Sequence, residues 1–129
     1  MDFPDGEITR KVIGCAMKVH STLGNGFPEI IYHRAMTKEL ELSDLKFLSE
    51  HEIPIYYDNT IVGTRRVDFF VEERIPVEIK AVGILEAPHF SQAMNYLEAF
   101  NLPIGLLLNF GSPSLQYHRI TNKKLLPRT

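Results

Sequence analysis

Glu78 and Lys80 stand two positions apart inside "VEIKAV" (Val77–Val82), a run whose other residues are apolar. In an extended strand successive side chains alternate faces. This carboxylate and this amine therefore project together, while Val77, Ile79 and Ala81 point the other way. Upstream, Asp68 lies in "RRVDFFV" between Val67 and Phe69. Two strands joined by a tight turn near Glu72–Arg74 would pair and carry Asp68 close to Glu78. Two carboxylates so placed repel and raise each other's pKa unless a cation lies between them. A hard divalent ion held by oxygen ligands, Mg²⁺ or Mn²⁺, resolves that conflict. Lys80 would then be close enough to orient a water or neutralise charge developing at phosphorus. The plainer alternative is a set of cross-strand ion pairs on a solvated sheet face. Apolar flanks, followed by a helix and a further apolar strand, favour a covered sheet.

The elements that must position these residues follow from periodicity. In "EITRKVIGCAMKVHSTLGNG", Ile8, Val12, Cys15, Val19 and Leu23 recur at helical spacing, and Gly24 and Gly26 supply the stop. Pro28 suits the first turn of a second helix, "PEIIYHRAMTKELEL", with Ile31, Ala35, Leu40 and Leu42 on its apolar side. "FLSEHEIPIYYDN" and "TRRVDFFVEE" read as strands joined around Asn59, with Gly63 at or near a second turn. "ERIPVEIKAV" is the third strand. "APHFSQAMNYLEAFN" reads as a helix with Pro88 in its first turn and Phe90, Ala93, Met94 and Leu97 facing inward. "LPIGLLLNF" has the continuous apolar run of a strand covered on both sides, and "LQYHRI" forms a last strand before a basic tail. This order predicts an α/β sandwich around a mixed sheet.

The chain has 129 residues, the size of one domain, so 1–129 is expected to form a single unit. A net charge of −2 means that nothing global demands nucleic acid or an anionic membrane; such binding needs a local basic patch. The single cysteine, Cys15, excludes an intrachain disulfide and a Cys-rich zinc site, and its apolar setting predicts a reduced structural thiol. No apolar run reaches the length of a membrane span, and no signal-peptide core follows Met1. A cytoplasmic protein is expected. His20, His33, His51 and His118 show no metal-ligand spacing and read as surface or satisfied polar groups.

Together these residues resemble the PD-(D/E)XK nuclease superfamily, through "VDFFVEERIPVEIK" followed by a helix and an apolar strand. "GNGFPEIIY" resembles the signature of the small GxxExxY proteins of that superfamily, through Gly26, Glu29 and Tyr32. "HFSQAMNYL" is similar to that group's H-x-x-Q-x-x-x-Y stretch (His89, Gln92, Tyr96), and "GLLLNFG" to its closing strand. Val67 stands where the superfamily often has proline before the aspartate. The resemblance implies a restriction-endonuclease-like αβββαβ core and a metal-dependent phosphodiesterase site. Asp68, Glu78 and the carbonyl of Ile79 would be metal ligands and Lys80 the catalytic lysine. Glu29 would be the helical carboxylate that contacts the metal or its water, unless it simply stabilises the helix N-terminus.

The resemblance also implies that Gln92 contacts a phosphate or Lys80. His89, Gln92 and Tyr96 can share a helix face, as can Glu29 and Tyr32; each is either a substrate contact or ordinary helix surface and packing. Arg66 shares the face of Asp68 by alternation and Arg65 does not, so Arg66 is the arginine expected to grip a phosphate or to pair with Glu78 or Glu72. Arg10, Lys11, Lys18, Lys123, Lys124 and Arg128 are further cations available to a substrate. The expected function is Mg²⁺- or Mn²⁺-dependent hydrolysis of a nucleic-acid phosphodiester, DNA before RNA. A homodimer would supply two clefts for two strands. The alternative is a non-catalytic nucleic-acid- or protein-binding module that retains the fold.

Overall fold

The computed structural model describes residues 5–125. Its elements are α1 (Gly6–Leu23), α2 (Glu29–Leu42), β1 (Phe47–Tyr57), β2 (Thr60–Val71), β3 (Ile75–Lys80), α3 (Ala87–Ala99), β4 (Ile104–Asn109) and β5 (Gln116–Thr121). The order matches the expectation element for element. One five-stranded sheet runs β1-β2-β3-β4-β5. Three neighbouring pairs are antiparallel, and β3 and β4 are parallel, joined by the crossover through α3.

The two sheet faces are covered separately. α1 and α2 bury Val12, Cys15, Val19, Tyr32, Met36 and Leu40 against Phe69, Val77, Ile79, Leu106 and Leu108. α3 buries Ala93 and Leu97 against Leu107 and Ile120 on the opposite face. β3 and β4 are therefore buried on both sides, which is why "IGLLLN" shows no alternation.

Local signals shape the entry to the site. α1 ends at Gly24, whose φ of 69° is a conformation that a side chain would strain. Pro28 is the residue before the first turn of α2, one position earlier than expected. The buried stripe of α2 is Tyr32, Met36 and Leu40; Ile31 and Ala35 are only partly covered, and Leu42 is exposed at the helix end. Gly63 is not at a turn. It sits inside β2 opposite Ile55, next to a register shift that leaves Val62 unpaired before Tyr56 meets Ile61. The β1–β2 turn is Asp58–Asn59, both with positive φ, the geometry of a tight hairpin turn. The tight turn at Glu72–Arg74 is present, with Arg74 N–H donating to the Val71 carbonyl at 3.0 Å.

Cys15 is buried, with its Sγ 3.2 Å from Ser43 Oγ. No helix among the described residues is long and apolar enough to cross a membrane.

Candidate active site

β2 and β3 pair only from Phe69↔Val77 to Val71↔Ile75. At Asp68 the two strands part. The Asp68 carboxylate replaces the next rung of the ladder, with Oδ2 accepting the backbone N–H of Ile79 at 2.7 Å. An aspartate that completes a ladder in this way is fixed in position, and it sits beside Glu78, whose charge it opposes.

Glu78 is 8% exposed. Burial pushes its pKa from 4.5 up to about 7, and the charge of Asp68 pushes in the same direction; Arg65, then Lys80, offset part of the rise. Lys80 is the last residue of β3 and is partly exposed. Glu29 opens α2, and although the residue is exposed overall, partial desolvation raises its carboxyl pKa, with Asp68 adding to the rise and Lys80, His33 and Arg66 opposing it. Asp68, Glu78, Lys80 and Glu29 thus form one electrostatic cluster where β2, β3 and the start of α2 meet.

The arginine at Glu78 is Arg65, not Arg66: its guanidinium donates to Glu78 Oε1 at 3.3 Å. The alternation argument fails because β2 has left β3 by this point, and strand twist turns the free ribbon relative to β3. Glu50 and Asp68 are also skipped in the β1–β2 register, between Ser49↔Phe69 and His51↔Val67, and Glu50 has a φ of 53°, so the ladder is irregular on this side too. Arg66 is exposed and acts on Glu29 instead.

The remaining candidates divide. Tyr96 is 2% exposed, feels the charge of Glu78, and has a hydroxyl without a hydrogen-bond partner among the described residues. Gln92 lies exposed one turn earlier on α3. His89 is engaged locally, its Nδ1 accepting the Glu86 N–H at 2.9 Å in the cap of α3. Tyr32 is likewise committed. Its hydroxyl donates to the Gly24 carbonyl and accepts the Phe27 N–H, and its ring stacks on Phe110. It shapes the loop that delivers Glu29. Lys18 pairs with Glu39 and Lys124 with Glu98, away from the acids; Arg128 lies outside the described residues.

Of two further neighbours, His33 was read as a surface or satisfied polar group and is the latter, while Asn109 escaped the sequence reading. His33 stacks on Phe69, and its Nε2 lies 3.4 Å from the Asp68 carbonyl; its i+4 spacing from Glu29 was a usable signal. Asn109 is fully buried and ties Val82, just past Lys80, to Gly111 and Gln116. A lone amide closing an apolar strand was its signal.

Among the described residues no three His, Cys, Asp or Glu side chains are grouped to hold a metal. The donor set still fits a hard cation. Glu78 is buried beside Asp68, and Arg65 and Lys80 only partly offset the cost of holding the two carboxylates together. Mg²⁺ typically takes one or two carboxylates and completes its shell with water and substrate oxygens.

A family model described as the PD-(D/E)XK nuclease superfamily matches residues 6–120, and the chain belongs to that superfamily. Its members generally use divalent metal ions and act on nucleic acid. No curated protein matches the chain. Among solved structures, the crystal structure of SSO0001 is similar, with a TM-score of 0.57 and 20% sequence identity over 71% of this chain. The match covers 48% of that protein, so the chain spans about half of its length, and the likeness is one of fold.

Proposed function

We propose that the chain is a metal-dependent nuclease of the GxxExxY kind that hydrolyses phosphodiesters, with DNA its main substrate. The observation that carries this reading is the parting of β2 and β3 at Asp68, which gathers Asp68, Glu78 and Lys80 at the open end of a covered sheet.

Asp68, Glu78 and the Ile79 carbonyl would hold Mg²⁺ or Mn²⁺. Such an ion supplies Lewis acidity at the phosphate and a lower pKa for the attacking water. Lys80 orients that water and neutralises charge on the phosphoryl oxygens. Glu29 accepts a hydrogen bond from water on the α2 side. Arg66 and Gln92, both exposed, are free to meet the phosphate backbone. A homodimer working in the cytoplasm would suit cleavage of both strands.

A non-catalytic module has one observation in its favour: Arg65 already gives Glu78 a counter-charge without any metal. A cleavage panel separates the two. Single-stranded, duplex, nicked and branched DNA and RNA are incubated at low salt with Mg²⁺ or Mn²⁺, using wild type beside Asp68→Ala and Lys80→Ala. Metal-dependent cutting lost in both variants is the expected result. Absence of cutting by wild type, or equal cutting by the variants, refutes the nuclease.

A further inference from the structure

Beyond Asp68 the β1–β2 ribbon runs on past the edge of β3, and its end is unusually apolar. Tyr56 and Tyr57 are 60% and 75% exposed, and Ile61 and Val62 are exposed beside them. The register shift at Ile55/Tyr56 lies at the base of this end, and a bulge there re-aims the side chains around it. Below Tyr56 the ribbon and the C-terminal end of α3 enclose a groove of about 390 Å³, lined by Ile53, Pro54, Ile55, Tyr56, Phe100 and Asn101 among others. None of its lining residues is charged. Phe100 packs on Tyr96 with ring centroids 4.7 Å apart, and Tyr96 lies within the field of Glu78. A wall of the groove thus packs on the α3 tyrosine that faces the charge of Glu78.

We propose that this groove is a nucleobase-binding site, taking one unpaired base beside Tyr56 and Phe100 while the strand's backbone continues past Arg65 and Arg66 toward Asp68 and Glu78. The inference rests on the nuclease reading and deepens it, because it makes the enzyme selective for single-stranded or locally opened nucleic acid. An uncharged, aromatic-sided groove recognises the face of a base and has nothing to offer a phosphate. The amide of Asn101 supplies donors and an acceptor for a base edge. Arg65 and Arg66 lie on the same ribbon between its tip and Asp68, where the connecting backbone would run. A base inside an intact duplex cannot enter without leaving its stack, so paired DNA would bind less well.

The test uses a short oligonucleotide carrying a 2-aminopurine, single-stranded or in a blunt duplex, at low salt with EDTA so that binding is read apart from cleavage. Wild type, Tyr56→Ala and Tyr56→Phe are compared by 2-aminopurine fluorescence and anisotropy; Tyr56 is exposed enough that its truncation leaves the core intact. Expected are quenching and preferential single-strand binding by wild type, an affinity loss of about tenfold or more in Tyr56→Ala, and restoration by Tyr56→Phe. Unchanged binding in Tyr56→Ala, or equal losses for both substrates, overturns the groove while leaving the nuclease reading intact. Loss of self-association by sedimentation with unchanged oligonucleotide affinity also overturns it, and assigns the tip to contact between copies. If wild type binds neither substrate, the groove falls, and the cleavage panel with metal alone decides the nuclease reading.

Discussion

The carboxylate of Asp68 accepts the backbone N–H of Ile79, the residue between Glu78 and Lys80, at 2.7 Å. One side chain thereby does two things. It terminates the β2–β3 ladder without leaving a buried donor unpaired, and it fixes a negative charge beside Glu78.

These two roles of Asp68 can be separated. Asp68→Asn keeps an oxygen to accept from Ile79 but loses the charge; Asp68→Ala loses both. Urea denaturation is expected to place Asp68→Ala about 1–3 kcal/mol below wild type, the cost of an unpaired buried donor, and Asp68→Asn much nearer to it. Metal-dependent cleavage should vanish in both. An Asn variant as unstable as the Ala variant would show that the bond to Ile79 carries no weight.

Glu78 makes stability depend on pH in an unusual direction. Its pKa is about 7 in the folded chain against the ordinary glutamate value of 4.5, first through burial and then through Asp68. The native state therefore keeps the proton longer than the unfolded chain does. The stability this gives is fully present below about pH 4.5 and is lost as pH rises through 7. Wild type is expected to lose up to about 3 kcal/mol between pH 5 and 8, while Glu78→Gln, which cannot ionise, stays flatter. Thermal melts across this range without Mg²⁺ make the comparison. A flat difference between the two proteins contradicts the raised pKa.

Arg65 tests the same charge from the other side. Its guanidinium stands 3.3 Å from Glu78 Oε1, and both side chains are largely shielded from water. Arg65→Met leaves an ionised Glu78 without its partner, so a loss of about 1–3 kcal/mol is expected at pH 8. Little should be lost at pH 5, where Glu78 holds its proton. Added Mn²⁺ should raise the melting temperature of the variant more than that of wild type, because the cation takes over the counter-charge. Equal shifts would mean that Arg65 and the metal do not compete for Glu78.

How far the sequence could be read depended on how local each signal was. The buried run of β4 and the helical spacing of α1 and α3 are one-dimensional patterns, so their elements were found with nearly correct ends. Asp68, Glu78 and Lys80 were legible because charges inside apolar strands are costly and conspicuous. Arg65 was misread because alternation along β2 fixes how its faces relate to those of β3 only while the two strands stay paired, and the place where β2 leaves β3 is not written in residue spacing. Gly63 looked like a turn, since a glycine beside a bulge carries the same local signal as one in a hairpin. The hydroxyl of Tyr32 has its partners in the Gly24–Phe27 loop, a contact that no helix-face argument could supply.

Asn109 offers a test of how Lys80 is held. It is fully buried and stands opposite Lys80 in the parallel β3–β4 ladder. Its Oδ1 accepts the N–H groups of Val82 and Gly111 at 3.0 and 3.1 Å. Its Nδ2 donates to the Val82 carbonyl at 2.9 Å and to Gln116 Oε1 at 2.8 Å. The chain just beyond Lys80 is thus pinned by a side chain rather than by the sheet. Asn109→Ala should cost about 1–3 kcal/mol, since three partly buried backbone groups lose their partner at once. If the pin also positions Lys80, cleavage should fall further than the unfolded fraction accounts for. Asn109→Asp keeps the acceptor but not the two donors, and is expected to lie between Asn109→Ala and wild type in a near-neutral denaturation series. Amide exchange at Val82 provides the local readout. Rapid exchange in both variants with cleavage intact would mean that Lys80 is held by β3 alone.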